Sequence, residues 1–153
     1  HVRSRRQRQM CIRDRMDINE LILSDAAVDA VENGAWVGDL PGAPGLNLKV
    51  LGTTSKAYRK AIQAKMERAR KKQEGKPLSS EQVTSLVREV FAETALVDWQ
   101  GLTSEGKDLP FDRELAKKWL TSRNGDMFSD LVATAAQRLD ANANAYVETV
   151  TKN

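Results

Sequence analysis

The chain has 153 residues, with 24 Lys and Arg against 21 Asp and Glu, a formal net charge of +3, one His and one Cys. These two are His1 and Cys11, so the rest of the chain offers no thiol nucleophile, no imidazole for a Ser-His-Asp triad and no Cys/His zinc site. No apolar run is long enough to cross a membrane as a helix, and the expected class is a small soluble intracellular protein of one domain.

The first segment in chain order is "RRQRQMCIRDR", residues 5–15. Arg5 to Asp14 resemble a one-frame translation of the transposon adapter used to prepare sequencing libraries. Residues 1–15 are therefore expected to be non-native and without fixed structure, the native chain starting at or near Met16. The rival reading is a basic arm for nucleic acid. Residues 1–15 carry six Arg and one Asp; without them eighteen basic and twenty acidic side chains remain, a net charge of −2. On that count the overall basic balance does not point to a nucleic-acid partner.

In residues 16–54, Asn33-Gly34 is a turn signal and "PGAPG" (Pro41 to Gly45) can be neither helix nor central strand. In "LNLKVLG", Leu46, Leu48 and Val50 alternate with Asn47, Lys49 and Leu51. This period of two predicts a β-hairpin at about 35–52 with a Pro/Gly loop. Its small apolar face needs helices to pack on.

A helical pair follows. Thr54 and Ser55 are N-cap candidates for a helix that stops at Gly75, with Tyr58, Ile62, Met66 and Ala69 along one face. Ser79 with Gln82 fits a capping box. It opens a second helix read through to Trp99, striped by Val83, Leu86, Val87, Val90, Phe91, Thr94 and Val97. Gly101, Gly106 and Pro110 then mark a loop or short hairpin. Asp112 caps a short helix, Asn124-Gly125 turns the chain, and Asp126 is the expected cap of a last helix. That helix bears Phe128, Leu131, Val132, Ala135 and Leu139, with Tyr146 further on, and its C-terminal end is expected to fray. The fold class is mainly α with a small N-terminal β-hairpin (α+β), with four or so helices packed as one domain over residues 16–153.

Several motifs bear on chemistry. Gly101 to Lys107 match a phosphate-loop pattern except that Asp108 stands where a magnesium-binding Ser or Thr belongs. A helix precedes this segment where a strand is needed, so it reads as a polar turn. Asp98, Asp108, Asp112 and Glu114 fit no standard metal spacing, and the last two suit a helix N-terminus. Residues 56–76 carry nine Lys/Arg and two Glu, a net of +7, leaving −9 for the rest of the native chain. That charge is either a basic face for nucleic acid or an acidic partner, or a solvated face partly paired to the acidic remainder. Trp99 and Phe111 are either core or partner anchors. No catalytic residue, cofactor or metal is expected.

Three segments carry a family resemblance: "LKVLGTTSKAYRKA" (Leu48 to Ala61), "ETALVDWQGLTSEGKDLPFDRELAKKWL" (Glu93 to Leu120) and "FSDLVATAA" (Phe128 to Ala136). Their order resembles tail assembly chaperones of long-tailed bacteriophages: a strand into a basic helix, Asp-Trp, a Gly-Leu-Thr loop, Gly-Lys, an aromatic after proline, then amphipathic helices. The resemblance implies a non-enzymatic protein in the cytoplasm of the bacterial host, absent from the mature virion. Its implied partner is the tape-measure protein, kept soluble while the tail tube assembles. A form extended by frameshifting would engage tail-tube protein.

The candidate partner-binding residues are Trp99, Leu102, Phe111 and Trp119. The expected groove lies between the helices of residues 80–99 and 126–146, rimmed by residues 101–111. Two other functions remain open: a virion structural protein (tail completion or head–tail joining) and a small nucleic-acid-binding module using the basic helix 56–76.

Overall fold

The computed structural model describes residues 15–152. Apart from Arg15, which is exposed, the expectation for the basic opening stretch lies outside the described residues.

Two helices come first. Asp17 caps the single-turn α1 (Ile18–Leu21), and Ser24 caps α2 (Asp25–Asn33) by accepting from the Ala27 N–H. Asn144 ties the link between them down: its side chain accepts from the Ser24 N–H and donates to the Ile22 carbonyl. Gly34, at φ +110°, turns the chain out of α2.

The hairpin is β1 (Ala35–Val37) with β2 (Asn47–Val50), paired antiparallel so that Trp36 faces Lys49 and Val37 faces Leu48. It follows two helices and is therefore not N-terminal. Nor is it alone. β3 (Leu96–Gln100) adds to the free edge of β2, with Leu48 opposite Trp99, a bulge at Lys49/Val50, and strand order β1-β2-β3. One face of this sheet is apolar because the alternating residues Val37, Leu48, Val50, Leu96 and Trp99 all point inward and are buried.

Ser55, itself buried, caps α3 (Lys56–Lys72) by accepting from the Tyr58 N–H at 3.3 Å. Tyr58 packs its ring 5.8 Å from Phe91. α3 ends at Lys72 rather than running to Gly75, and Glu74 and Gly75 follow in left-handed conformation. The Ser79/Gln82 capping box opens α4 (Ser80–Val90).

The expected helix through Trp99 is corrected here. After Val90 the chain makes one π-helical turn, Phe91–Ala95, and leaves as strand β3. Two interactions end the helix. The Arg113 guanidinium donates to the carbonyls of Ala92 and Glu93, each at 2.9 Å, and of Leu96 at 3.3 Å. The Ala95 carbonyl accepts from the Leu51 N–H. Carbonyls at a helix end need such partners, and β2 offers an edge to which the next residues pair.

β4 (Thr103–Ser104) and β5 (Lys107–Asp108) form a separate minimal hairpin. Asp112 caps α5 (Arg113–Leu120), accepting from the Glu114 and Leu115 N–H groups. A 3-10 turn, Arg123–Gly125, leads into α6 (Asp126–Ala141). Asp126 does not cap α6. Gly125 holds the N-cap position without a side-chain bond, and Asp126, the first helical residue, pairs with Arg88 at 2.6 Å. The expected continuous last helix breaks at Asn142 and resumes as α7 (Ala143–Lys152).

α6 is the spine of the core. Val132, Ala135, Ala136 and Leu139 are buried, and the helix packs on β1, β2 and α5. Its C-terminal end is fastened twice. Asp140 accepts from Thr53 and Thr54, and Arg138 donates to the Gly38 and Asp39 carbonyls. The molecule is mainly helical with a small antiparallel sheet, and has more helical segments than the four or so expected.

Candidate partner-binding cleft

Trp99, projecting inward from β3, is the centre of an aromatic cluster. Its ring lies edge-on to Phe111 at 4.8 Å and to Phe128 at 6.0 Å, and stacks on Trp119 at 5.7 Å. Its Nε1 donates to the Leu109 carbonyl at 2.9 Å, so the one polar atom of the ring is satisfied inside. At 3 % exposure Trp99 is core.

Trp119 and Phe128 pack edge to face at 5.6 Å on the outer side of Trp99. They form part of the wall of an open apolar cleft of about 690 Å³, with Leu46, Leu102, Met127 and Leu131. The loop Gly42–Pro44 and the turn residues Ser122, Asn124 and Gly125 complete it. Met127, 65 % exposed, stands at its mouth.

Two glycines allow these walls to meet. Gly101 has φ +88°, and a Cβ there would collide with the Gly45 carbonyl. A Cβ on Gly125 would land on the Trp119 carbonyl. Any larger residue would force the hairpin loop or the 3-10 turn away from the cleft.

The four sequence candidates therefore separate. Leu102 and Trp119 line the cleft. Phe111 is half-buried on the other side of Trp99, with the Arg113 guanidinium 5.4 Å from its ring centre. Trp99, read as either core or a partner anchor at the end of the expected helix, sits in a strand and is core, offering no surface. The expected groove between residues 80–99 and 126–146 is replaced by this cleft. Residues 96–100 have left the helix for the sheet, α4 packs against α3, and Arg88 and Asp126 bridge α4 to the start of α6. Sequence reasoning missed Met127 and the loop 42–46. An apolar Met directly after Gly125-Asp126 was the available signal.

The other motifs resolve simply. The Gly101–Lys107 pattern follows strand β3 rather than the expected helix, but it is the β4–β5 hairpin, with Glu105 and Gly106 at positive φ in its turn, and no helix starts before Arg113. Asp98 accepts from the Trp99 N–H, and Asp112 is the α5 cap. Among the described residues no group of three or more His, Cys, Asp or Glu is placed to hold a metal ion, and no helix is long and apolar enough to cross a membrane.

On α3, Lys65 is bracketed by Glu89 at 3.0 Å and Glu93 at 3.3 Å, and Glu93 also meets Lys117 at 3.2 Å. Burial alone would lower the Lys65 pKa, but the two carboxylates hold it above its ordinary value. Burial alone would raise that of Glu93, but hydrogen bonds and charge from Lys117 and Lys65 bring it below the usual carboxylate range.

A family model described as YdaY prophage protein matches residues 53–153. That span holds α3, α4, β3 and the whole helical side of the cleft, and leaves out β1, β2 and the loop 42–46. No curated protein and no solved structure matches the chain.

Proposed function

We propose that this chain, which belongs to the YdaY prophage protein family, is a phage tail assembly chaperone which binds the tape-measure protein through the cleft around Trp119 and keeps it soluble during tail-tube assembly. The observation that carries this reading is the cleft itself. It is open, mostly apolar, and walled in part by two aromatic rings packed on a buried third. A long helical partner with exposed apolar stripes aggregates unless they are covered, and helix-in-groove recognition covers them with a surface of this kind. The same reading puts the protein in the host cytoplasm and out of the finished particle.

The test is co-expression with the tape-measure protein of the same prophage. Met127→Asp and Leu102→Ser should keep the wild-type fold by circular dichroism and lower recovery of soluble partner. Full recovery with both variants would remove the cleft from the hypothesis. Stoichiometric amounts of the protein in purified particles would instead favour a virion structural role.

A further inference from the structure

We infer that the outward face of α3 is a second docking surface, separate from the cleft, and that it takes an acidic helical segment of a protein partner.

α3 packs chiefly on α4 and the π turn, so its other side faces solvent. At 100° per residue, Lys56, Arg59, Lys60, Gln63, Glu67, Arg70 and Lys71 share that side, and all are exposed. Among the described residues, Lys65 is the member of α3 that forms salt bridges; the five outward cations form none. A stripe from Lys56 to Lys71 spans about 22 Å, roughly four helical turns. Its charge has thus not been spent on the acidic remainder of the fold.

Four observations select an acidic protein segment over nucleic acid. Glu67 sits in the middle of the stripe, where a phosphate backbone would meet it. Residues 16–153 outside 56–76 carry a net −9, which repels a long polyanion but not a segment confined to one helix face. The helix exposes no aromatic side chain for base stacking, since Tyr58 is buried. Finally, the inner face already shows the mode of binding. Glu89 near the end of α4 and Glu93 in the π turn, four residues apart, both close on Lys65. A docked helix with carboxylates one turn apart would repeat this on Lys60 and on Arg70.

The probe is a fluorescent alanine-based helical peptide with Glu pairs four residues apart, titrated onto the full chain. A DNA duplex of similar length serves as the rival ligand. The Arg-rich residues 1–15 are present in every sample, so the difference between wild type and α3 variants is the readout. Lys60→Glu combined with Lys71→Glu should leave the melting temperature unchanged and weaken peptide binding by about tenfold or more at physiological salt, as expected when close opposite charges become like charges. Met127→Asp should leave peptide binding unchanged. Three results would overturn the inference: no peptide binding, binding insensitive to the double reversal, or tighter binding of the duplex than of the peptide by the same face.

Discussion

Trp99 stacks on Trp119 with their ring planes only 23° apart, so the exposed floor of the cleft is the outer half of a pair whose inner half is core. Replacing either ring thus has a different consequence. Trp99→Ala removes the ring at the centre of four aromatic residues and orphans the Leu109 carbonyl. Its unfolding free energy should drop by about 3–5 kcal/mol, read from urea titration. Trp119→Ala, at the half-buried position, should cost clearly less while enlarging the cleft. A reversed order of the two would mean that Trp99 is not the anchor of the cluster.

Gly101→Ala should destabilise through the backbone. A left-handed residue with a Cβ costs about 1–2 kcal/mol, and here the Cβ also meets the Gly45 carbonyl. The expected outcome is a lower melting temperature with increased proteolysis in the loop 42–46. Gly106→Ala has a similarly positive φ but nothing within 4 Å of its Cβ, so it should show the conformational cost alone.

A charge at Val90 and one at Leu131 should behave differently although both lie on helical stripes. Val90 is fully buried, and Val90→Asp leaves a carboxylate without water or partner, which should abolish cooperative folding. Leu131 is half-buried and faces the open cleft. Leu131→Asp should still melt cooperatively, at a lower temperature. Thermal scans by circular dichroism distinguish the two.

The Lys65–Glu93–Lys117 chain predicts a pH effect. The Glu93 pKa is lower in the folded state than unfolded, so its contribution is present above the unfolded value and is lost as pH falls below it through the lower folded value. Lys65 is raised on folding, so its share is kept below the unfolded lysine value and lost at strongly alkaline pH. Glu93→Gln should flatten the acid limb of the melting-temperature profile relative to wild type. An unchanged acid limb would show that the pairing contributes nothing, as solvent-screened pairs often do.

Much of the local structure was legible. Capping signals at Ser55, at Ser79 with Gln82, and at Asp112 mark helix starts that the structure uses, because a side-chain oxygen three residues from an N–H needs no tertiary partner. The alternation at Leu46, Leu48 and Val50 likewise located β2. Residues 18–33 give little helical signal in the sequence although Ser24 caps α2. The one-sided apolar pattern there is short, with only Ala27 and Val31 buried.

Where the reading failed, a distant residue decided. "FAETALVDWQ" continues a helical stripe by local pattern, and only the free edge of β2 and the Arg113 guanidinium convert it into a π turn and a strand. Asp126 looked like a cap until Arg88, 38 positions earlier, claimed its carboxylate.

Composition and periodicity alone determined that this chain has no thiol or imidazole beyond Cys11 and His1, that it is mostly helical with a short β-hairpin, and that its basic charge gathers on one helix. Those properties depend on residue type and on spacing within one or two turns. The tertiary structure alone decided that Trp99 is core while Trp119 is half-buried at the cleft, that Leu46, Leu102 and Met127 converge on one cleft, and that the outward cations of α3 form no salt bridge among the described residues. Each of these depends on which distant segment arrives to cover a side chain, and neither residue type nor local spacing encodes that arrival.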